Sequence, residues 1–105
     1  MKGEYMEFVE RENINDFASI LNILGDPIRL KIVVDLMDHD CSVTGLMQHV
    51  NISQPLVSHH LRILRDAKIV KATKLGKQVI YSLVNETSKN IVTLLSKEVT
   101  SNVRS

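Results

Sequence analysis

The apolar residues of this chain change their spacing once, just after Ala67, and this change limits the folds available to it. Between Ile14 and Ala67 they recur every three or four residues, as on the buried face of an α-helix. Beyond Ala67, β-branched residues dominate in two runs, IVKATKL and QVIYSLV, on either side of Gly76. Such a pattern is typical of a β-hairpin. The sequence therefore predicts a group of helices followed by a hairpin.

Capping residues divide the helical part of the chain into separate helices. Asp26 with Pro27, then Thr44 and Ser53, are each predicted to start a helix, and Asn85 starts a last one after the hairpin. The predicted helices cover roughly 13–24, 27–38, 45–50, 54–67 and 86–100. The remaining TSNVRS is predicted to be a frayed tail. The predicted fold is mainly α with a β-hairpin wing, in the order α-α-α-α-β-β-α, as one domain over residues 1–105.

Composition excludes several classes of protein. Aromatic residues make up 4% of the 105 residues and Trp is absent, so the core is expected to be aliphatic. The single cysteine, Cys41, cannot form an intramolecular disulfide. The N-terminal MKGEYMEFVERE is charged throughout, unlike a signal peptide, and no apolar run approaches the ~20 residues of a membrane span. We therefore expect a cytoplasmic protein with no membrane partner.

The third and fourth predicted helices, joined by VNIS, have the arrangement of a helix-turn-helix, and the hairpin after them gives the winged variant. At about 100° per residue, Ser58, His59 and Arg62 fall on the outer face of the fourth helix. The inner arc holds Leu56, Val57, His60, Leu61, Ile63, Leu64 and Ala67. His60 is therefore predicted to be a hydrogen-bonded core residue while His59 faces outward. Two adjacent helical histidines that diverge in this way are poorly placed to bind one metal ion.

The second helix of a helix-turn-helix lies in the DNA major groove, so the outer face of the fourth helix predicts DNA binding. Helix N-termini favour phosphates, glutamine can pair with adenine, and arginine can bind guanine or the backbone. Residues of the wing tip would contact backbone or minor groove. The candidate DNA-binding residues are Ser53, Gln54, Ser58, His59, Arg62, Lys74, Lys77 and Gln78. For Lys68 and Lys71, simple solvation explains the charge equally well.

Three motifs in one order, LGDPIRLKIVVDL, SQPLVSHHLRILRDAKIV and GKQVIYSLV, make the chain from about residue 17 to 84 resemble the ArsR/SmtB family of bacterial winged-helix repressors. The resemblance implies a homodimer built on the first and last helices, about 13–24 and 86–100. It also implies operator DNA with a two-fold repeat, and repression relieved by an inducer. Apolar stripes on both terminal helices suit a partner chain, because a core of this size cannot easily cover them all.

The family resemblance also says where a metal would bind, and those positions carry other residues here. Many members use two cysteines of the third helix, whose places are taken by Ser42 and Thr44. Others use an Asp-x-His on the last helix, whose places are taken by Asn85 and Thr87. Glu98 alone remains at a later ligand position, and one carboxylate does not hold a transition metal. We therefore expect no metal site of either family type and no cofactor.

The inducer is left open by the sequence. Family members that sense oxidants use a cysteine pair, and Cys41 stands alone, so it is a candidate one-thiol redox switch or a partly buried loop thiol. The polar loop DHDC places Asp38, His39, Asp40 and Cys41 together, which keeps a metal-responsive repressor with a non-standard site as an alternative. His49 is expected to be a surface or capping residue.

Other classes of function find less support. The chain has no Gly-rich phosphate loop, nucleophile elbow or zinc-hydrolase motif, so we expect it not to be an enzyme. A winged-helix module that binds protein or RNA remains an alternative. The polar, basic face of the fourth helix favours DNA over that alternative.

Overall fold

The computed structural model describes the backbone of residues 11–104 and the side chains of 13–100. Residues 1–10 and Ser105 of the predicted domain lie outside the described residues. The elements are α1 (Arg11–Leu24), α2 (Pro27–Asp38), β1 (Cys41–Ser42), α3 (Val43–Val50), α4 (Gln54–Asp66), β2 (Val70–Leu75), β3 (Gln78–Leu83) and α5 (Glu86–Arg104). The predicted winged helix-turn-helix with its helical majority is confirmed.

Three local predictions were wrong. β1 was missed: Cys41 pairs with Tyr81 and Ser42 with Ile80, so the hairpin becomes a three-stranded antiparallel sheet in the order β1-β3-β2. A strand of this length is too short to show a period. Ser42, not Thr44, caps α3, and its Oγ accepts a hydrogen bond from the Gly45 N–H at 3.2 Å. The tail predicted as frayed continues α5 to Arg104, because it contains no Gly or Pro to stop a helix.

Two other predicted caps, Asp26 and Asn85, hold their helices as expected, whereas Ser53 stands at the start of α4 without a side-chain capping hydrogen bond. Asp26 Oδ1 accepts hydrogen bonds from the N–H groups of Ile28 at 2.9 Å and Arg29 at 3.0 Å. Asn85 Oδ1 accepts from the backbone N–H and the hydroxyl of the buried Ser88, both at 2.7 Å. Side-chain oxygens thus satisfy N–H groups that have no partner inside the first turn of a helix.

The core is aliphatic, as predicted, and lies where α2, α3, α4 and the sheet meet. Its fully buried side chains include Ile32, Val33, Leu46, Val57, Leu61, Leu64 and Ile69. Leu56 was wrongly placed inside and is 38% exposed. At about 100° per residue it lies roughly 90° from the middle of the buried arc of α4, at the edge of the contact with the core.

Apolar side chains on α1 and α5 remain exposed. Ile14, Phe17 and Leu21 of α1 are 47%, 45% and 57% exposed, and Leu95 and Val99 of α5 are 52% and 59% exposed. The predicted dimer helices therefore carry more apolar surface than this chain covers by itself. No helix in the described part of the chain is both long and apolar enough to cross a membrane.

Candidate nucleic-acid interface

The turn between α3 and α4 has the backbone geometry of a tight helix-turn-helix. Asn51 adopts the left-handed conformation with φ 57° and ψ 50°, and its N–H donates to the Met47 carbonyl at 2.9 Å. Asparagine tolerates this conformation better than most residues. Ser53 then extends the chain at φ −69° and ψ 157°, and α4 begins with Pro55 in its first turn. The turn therefore fixes the position at which α4 begins.

The rotation of α4 about its axis is fixed by four side chains that it buries. Val57, His60, Leu61 and Leu64 face the core, and the helix therefore turns the opposite side to solvent. The residues predicted on its outer face, Ser58, His59 and Arg62, are exposed, and so are Ser53 and Gln54 at the start of the helix. The Ser53 hydroxyl makes no capping hydrogen bond, which leaves it free beside the N–H groups of the first turn.

The wing places its predicted residues at one tip. In the β2–β3 register, Lys74 pairs with Val79 and Leu75 pairs with Gln78. The turn between them contains Gly76 at φ +62°, a conformation that L side chains rarely adopt. Lys74, Lys77 and Gln78 are exposed at this tip, as predicted.

A defined turn connects α4 to the wing. The Lys68 N–H donates to the Arg65 carbonyl and the Ile69 N–H to the Leu64 carbonyl, both at 2.9 Å. Lys68 is left-handed at φ 60°, as is common just beyond a helix C-terminus. Since Ile69 is buried, the wing leaves α4 in a fixed direction rather than as a loose loop.

The basic run that follows Leu61 is entirely on the surface. All six of its cations are exposed: Arg62, Arg65, Lys68, Lys71, Lys74 and Lys77. Between residues 13 and 100, the ion pairs are His49 with Asp35 and Lys89 with Glu86, so none of the six is paired with a carboxylate. Their charge is therefore available to an anionic partner such as a DNA backbone.

His60 is a buried, hydrogen-bonded histidine, as predicted, but its partner was not foreseen. It is 6% exposed, and its Nδ1 lies 3.2 Å from Nη1 of Arg29 on α2. Because guanidinium nitrogens only donate, Nδ1 accepts and the imidazole is neutral with its proton on Nε2. The same guanidinium donates from Nε to the Ile23 carbonyl at 2.7 Å. Arg29 thus connects the end of α1 to the inner face of α4.

Two groups near this connection have shifted acidities. Burial lowers the pKa of His60 below its usual 6.5; the Arg29 and His59 charges also lower it, while Asp26 opposes them. The hydrogen bond from the Arg29 backbone N–H is the main cause that lowers the pKa of Asp26 below 3.8. His60 is therefore held neutral and Asp26 is held ionised around neutral pH.

A second group of polar side chains meets where α2, β1 and α3 come together. We call Asp35, His39, Cys41 and His49 the corner cluster; one potential ligand atom from each lies within 4.8 Å of the other three. His49, expected at the surface, is exposed and donates from Nδ1 to Asp35 Oδ2 at 2.8 Å. His39 and Cys41 of the DHDC segment belong to the cluster, whereas Asp38 and Asp40 do not. Sequence reasoning missed Asp35 and His49.

Cys41 is more enclosed than a loop thiol. It lies in β1, is 7% exposed, and packs its sulfur against Gly45 of α3. Burial raises the pKa of the Cys41 thiol above 9.0, and the Asp35 charge raises it further. Both effects disfavour the thiolate, which is the reactive form of cysteine.

A short helix, a tight turn, an amphipathic helix and a β-hairpin define the winged helix-turn-helix class of DNA-binding proteins. The family model described as "Bacterial regulatory protein, arsR family" matches residues 26–72. The Biofilm growth-associated repressor of Xylella fastidiosa is 35% identical over 99 residues, covering 90% of this chain and 87% of the relative. The chain therefore belongs to the ArsR family and is a DNA-binding transcriptional regulator.

Other relatives agree with this assignment. The crystal structure of the transcriptional repressor BigR from Xylella fastidiosa superposes with a TM-score of 0.80 at 33% identity, covering 92% of this chain and 95% of that one. The transcriptional repressor PagR of Bacillus anthracis is 34% identical over 89 residues, covering 84% of this chain and 89% of PagR.

Proposed function

We propose that this chain is a homodimeric repressor that binds double-stranded operator DNA and is released from it by an inducer. The observation that carries the proposal is the exposed polar face of α4, held outward by four buried side chains on the opposite side. Family membership and the repressor names of the relatives support the same function. The protein would act in the cytoplasm and catalyse no reaction.

In this proposal α4 reads the major groove. Gln54 lies at the helix N-terminus and is exposed, so its amide can pair with an adenine edge. Arg62, two turns further along, is suited to bind a guanine edge or a phosphate through its fork of donors. Ser58 and His59 lie between them on the same exposed face and reach bases or phosphates.

The remaining candidates bind the DNA backbone. Ser53 offers a free hydroxyl beside the first-turn N–H groups, an arrangement suited to one phosphate. Lys74, Lys77 and Gln78 at the wing tip extend the contact to neighbouring backbone or minor groove. Phosphate contacts of this kind give affinity and salt dependence rather than a choice of sequence.

The dimer is proposed to form through α1 and α5. Their exposed apolar side chains, among them Phe17, Leu21, Leu95 and Val99, need a cover that one chain does not supply. A two-fold axis through these helices would use the same surface of both protomers and present two α4 helices to a repeated operator. Leu95→Glu should place a charge in this interface and shift the protein to monomers by analytical ultracentrifugation, with its circular dichroism spectrum retained.

The test of the DNA surface uses an operator identified by sequencing the DNA that co-purifies with the protein. The double variant Gln54→Ala with Arg62→Ala should lose at least about tenfold in operator affinity, because each bidentate base contact contributes about 1–3 kcal/mol. Binding of wild-type protein should weaken steeply as salt is raised. Fluorescence anisotropy at two salt concentrations measures both effects.

The matched control is Lys31→Ala, which removes one exposed cation from α2, outside the candidate DNA-binding residues of α4 and the wing. It should bind the operator within about twofold of wild type. Unchanged affinity in the double variant would remove the proposed readout surface. Binding that is indifferent to salt would favour a winged-helix module for another kind of partner.

The releasing signal is proposed to be a small molecule or a redox event. Cys41 is the candidate thiol for the redox alternative, but its burial and raised pKa predict slow oxidation in the folded protein and so favour a small-molecule inducer. Peroxide should therefore leave operator binding unchanged over minutes, and rapid release that is abolished in Cys41→Ser would identify the thiol as the switch instead.

A further inference from the structure

The corner cluster combines residues from three consecutive elements, all within positions 35–49. Asp35 belongs to α2, His39 follows its last residue, Cys41 lies in β1 and His49 lies in the last turn of α3. Their donor atoms are two imidazole nitrogens, one sulfur and one carboxylate oxygen. Nitrogen and sulfur donors with one carboxylate form the kind of set that Zn²⁺ and neighbouring divalent transition metals prefer.

The spacing of the four donors is close to that of a tetrahedral site. Metal–nitrogen bonds of about 2.0–2.1 Å and a metal–sulfur bond of about 2.3 Å place the donors of such a site roughly 3.3–3.8 Å apart. The donors of the corner cluster lie within 4.8 Å of one another. The widest separation must therefore shrink by about 1 Å. His39 and His49 are both exposed, so their side chains can turn to make this adjustment.

Two fixed points already hold the cluster together. His49 Nδ1 and Asp35 Oδ2 share a hydrogen bond of 2.8 Å, so one nitrogen and one oxygen donor are in contact before any ion arrives. A Cβ added to Gly45 would lie 2.5 Å from Cys41 Sγ, so the glycine leaves space that the sulfur occupies. The sulfur thus has a defined position at the buried end of the cluster.

The charges and the surroundings also suit a divalent cation. One thiolate and one carboxylate balance the charge of the ion, and two neutral imidazoles complete the set. The thiol proton leaves to solvent, and a neutral His49 that binds through Nδ1 carries its proton on Nε2 instead. Beside the cluster, Asp35 and His49 line a cavity of about 570 Å³ between α2 and α3. This cavity is an access route from solvent.

We propose that the corner cluster is a binding site for a divalent transition-metal ion of the Zn²⁺ type. The site uses none of the positions where the family resemblance places metal ligands, which here are Ser42, Thr44, Asn85 and Thr87, although Cys41 is the neighbour of Ser42. The expectation that this chain binds no metal was based on those positions. The proposal concerns the binding of an ion and does not depend on DNA binding.

The test is a titration of the reduced, chelator-treated full chain with Co²⁺, which gives visible absorption in tetrahedral sites. Wild-type protein should bind one Co²⁺ per chain and show a charge-transfer band from the thiolate, and Zn²⁺ should displace the Co²⁺. His39→Gln and His49→Gln should each weaken Co²⁺ binding by more than about tenfold, since each removes a donor. Both residues are exposed, so these variants keep the fold.

The matched control is Asp40→Asn, which removes a carboxylate from the same segment but takes no donor from the cluster. It should bind Co²⁺ as wild type does. Zn²⁺ should also raise the Tm of wild type and of Asp40→Asn, and leave that of His49→Gln nearly unchanged, because an ion stabilises the state that binds it. Absence of stoichiometric binding in wild type overturns the proposal. So does wild-type affinity for Co²⁺ in His39→Gln and His49→Gln, which would locate the ion elsewhere.

Discussion

The connection between Arg29 and His60 should be the main polar contribution to the position of α4. In Arg29→Met the alkyl part of the side chain is kept and all of its hydrogen bonds are lost. Two of these hydrogen bonds are short enough to contribute to stability: the bond to the Ile23 carbonyl at 2.7 Å and the bond to His60 Nδ1 at 3.2 Å. The contact with Asn22 O, at 3.5 Å, is at the limit of a hydrogen bond.

The expected loss follows from these contacts. A hydrogen bond that involves a charged group contributes about 1.5–3 kcal/mol, and Arg29 is half-buried, so solvent replaces part of each bond. We expect Arg29→Met to lower the free energy of unfolding by about 2–3 kcal/mol. With a urea m-value of about 1–3 kcal/mol/M, this lowers the unfolding midpoint by about 0.7–3 M.

The assay is urea unfolding followed by circular dichroism, since the chain has no Trp. Protein concentration is kept fixed because dimer formation makes apparent stability depend on it. A double-mutant cycle with His60→Leu isolates the contact between the two side chains, and we expect a coupling of about 1 kcal/mol. A midpoint within about 0.3 M of wild type for Arg29→Met, or a coupling near zero, would refute the assigned role.

Three further results should follow from the same structure. Burial lowers the folded-state pKa of His60, so the unfolded state takes up a proton first as the pH falls below about 6.5. The free energy of unfolding, measured with urea, should therefore decrease from pH 7.5 to pH 5.5, and the decrease should be smaller in His60→Leu. Lys68→Gly should stabilise the protein by up to about 1 kcal/mol because Lys68 is left-handed, whereas the control Lys68→Ala should give no such gain. Gly45→Ala should cost about 1–3 kcal/mol, because its Cβ would overlap the Cys41 sulfur, and an unchanged Tm would contradict that packing.

Features set by local geometry could be predicted from the sequence. The rotation of α4 follows from helical spacing alone, which is why His60 was placed inside and Ser58, His59 and Arg62 outside. The hairpin turn at Gly76 could likewise be predicted from the residues on either side of it. Leu56 was misplaced because helical spacing gives the direction of a side chain around the helix axis but not how wide a part of the helix the core covers.

Features that depend on distant contacts could not be predicted in this way. Arg29 and His60 are 31 residues apart, and nothing in either segment identifies the other as its partner. β1 forms only because Cys41 and Ser42 meet β3 across the sheet. Propensity cannot reveal a strand whose existence depends on a neighbour supplied by the fold.

The corner cluster shows how a local rule can fail when an element boundary intervenes. Its sequence signal, DHDC, suggested four consecutive ligands, but neighbours in an extended segment point to opposite sides, so Asp40 and Cys41 cannot share one site. Asp35 and His39 are separated by four residues, the spacing that brings helical side chains to one face. α2 ends at Asp38, between these two residues, so the sequence analysis assigned Asp35 to a helix and His39 to a loop. His39 has an extended backbone just beyond α2, so the fold rather than helical spacing brings its side chain to Asp35 and to His49 of α3.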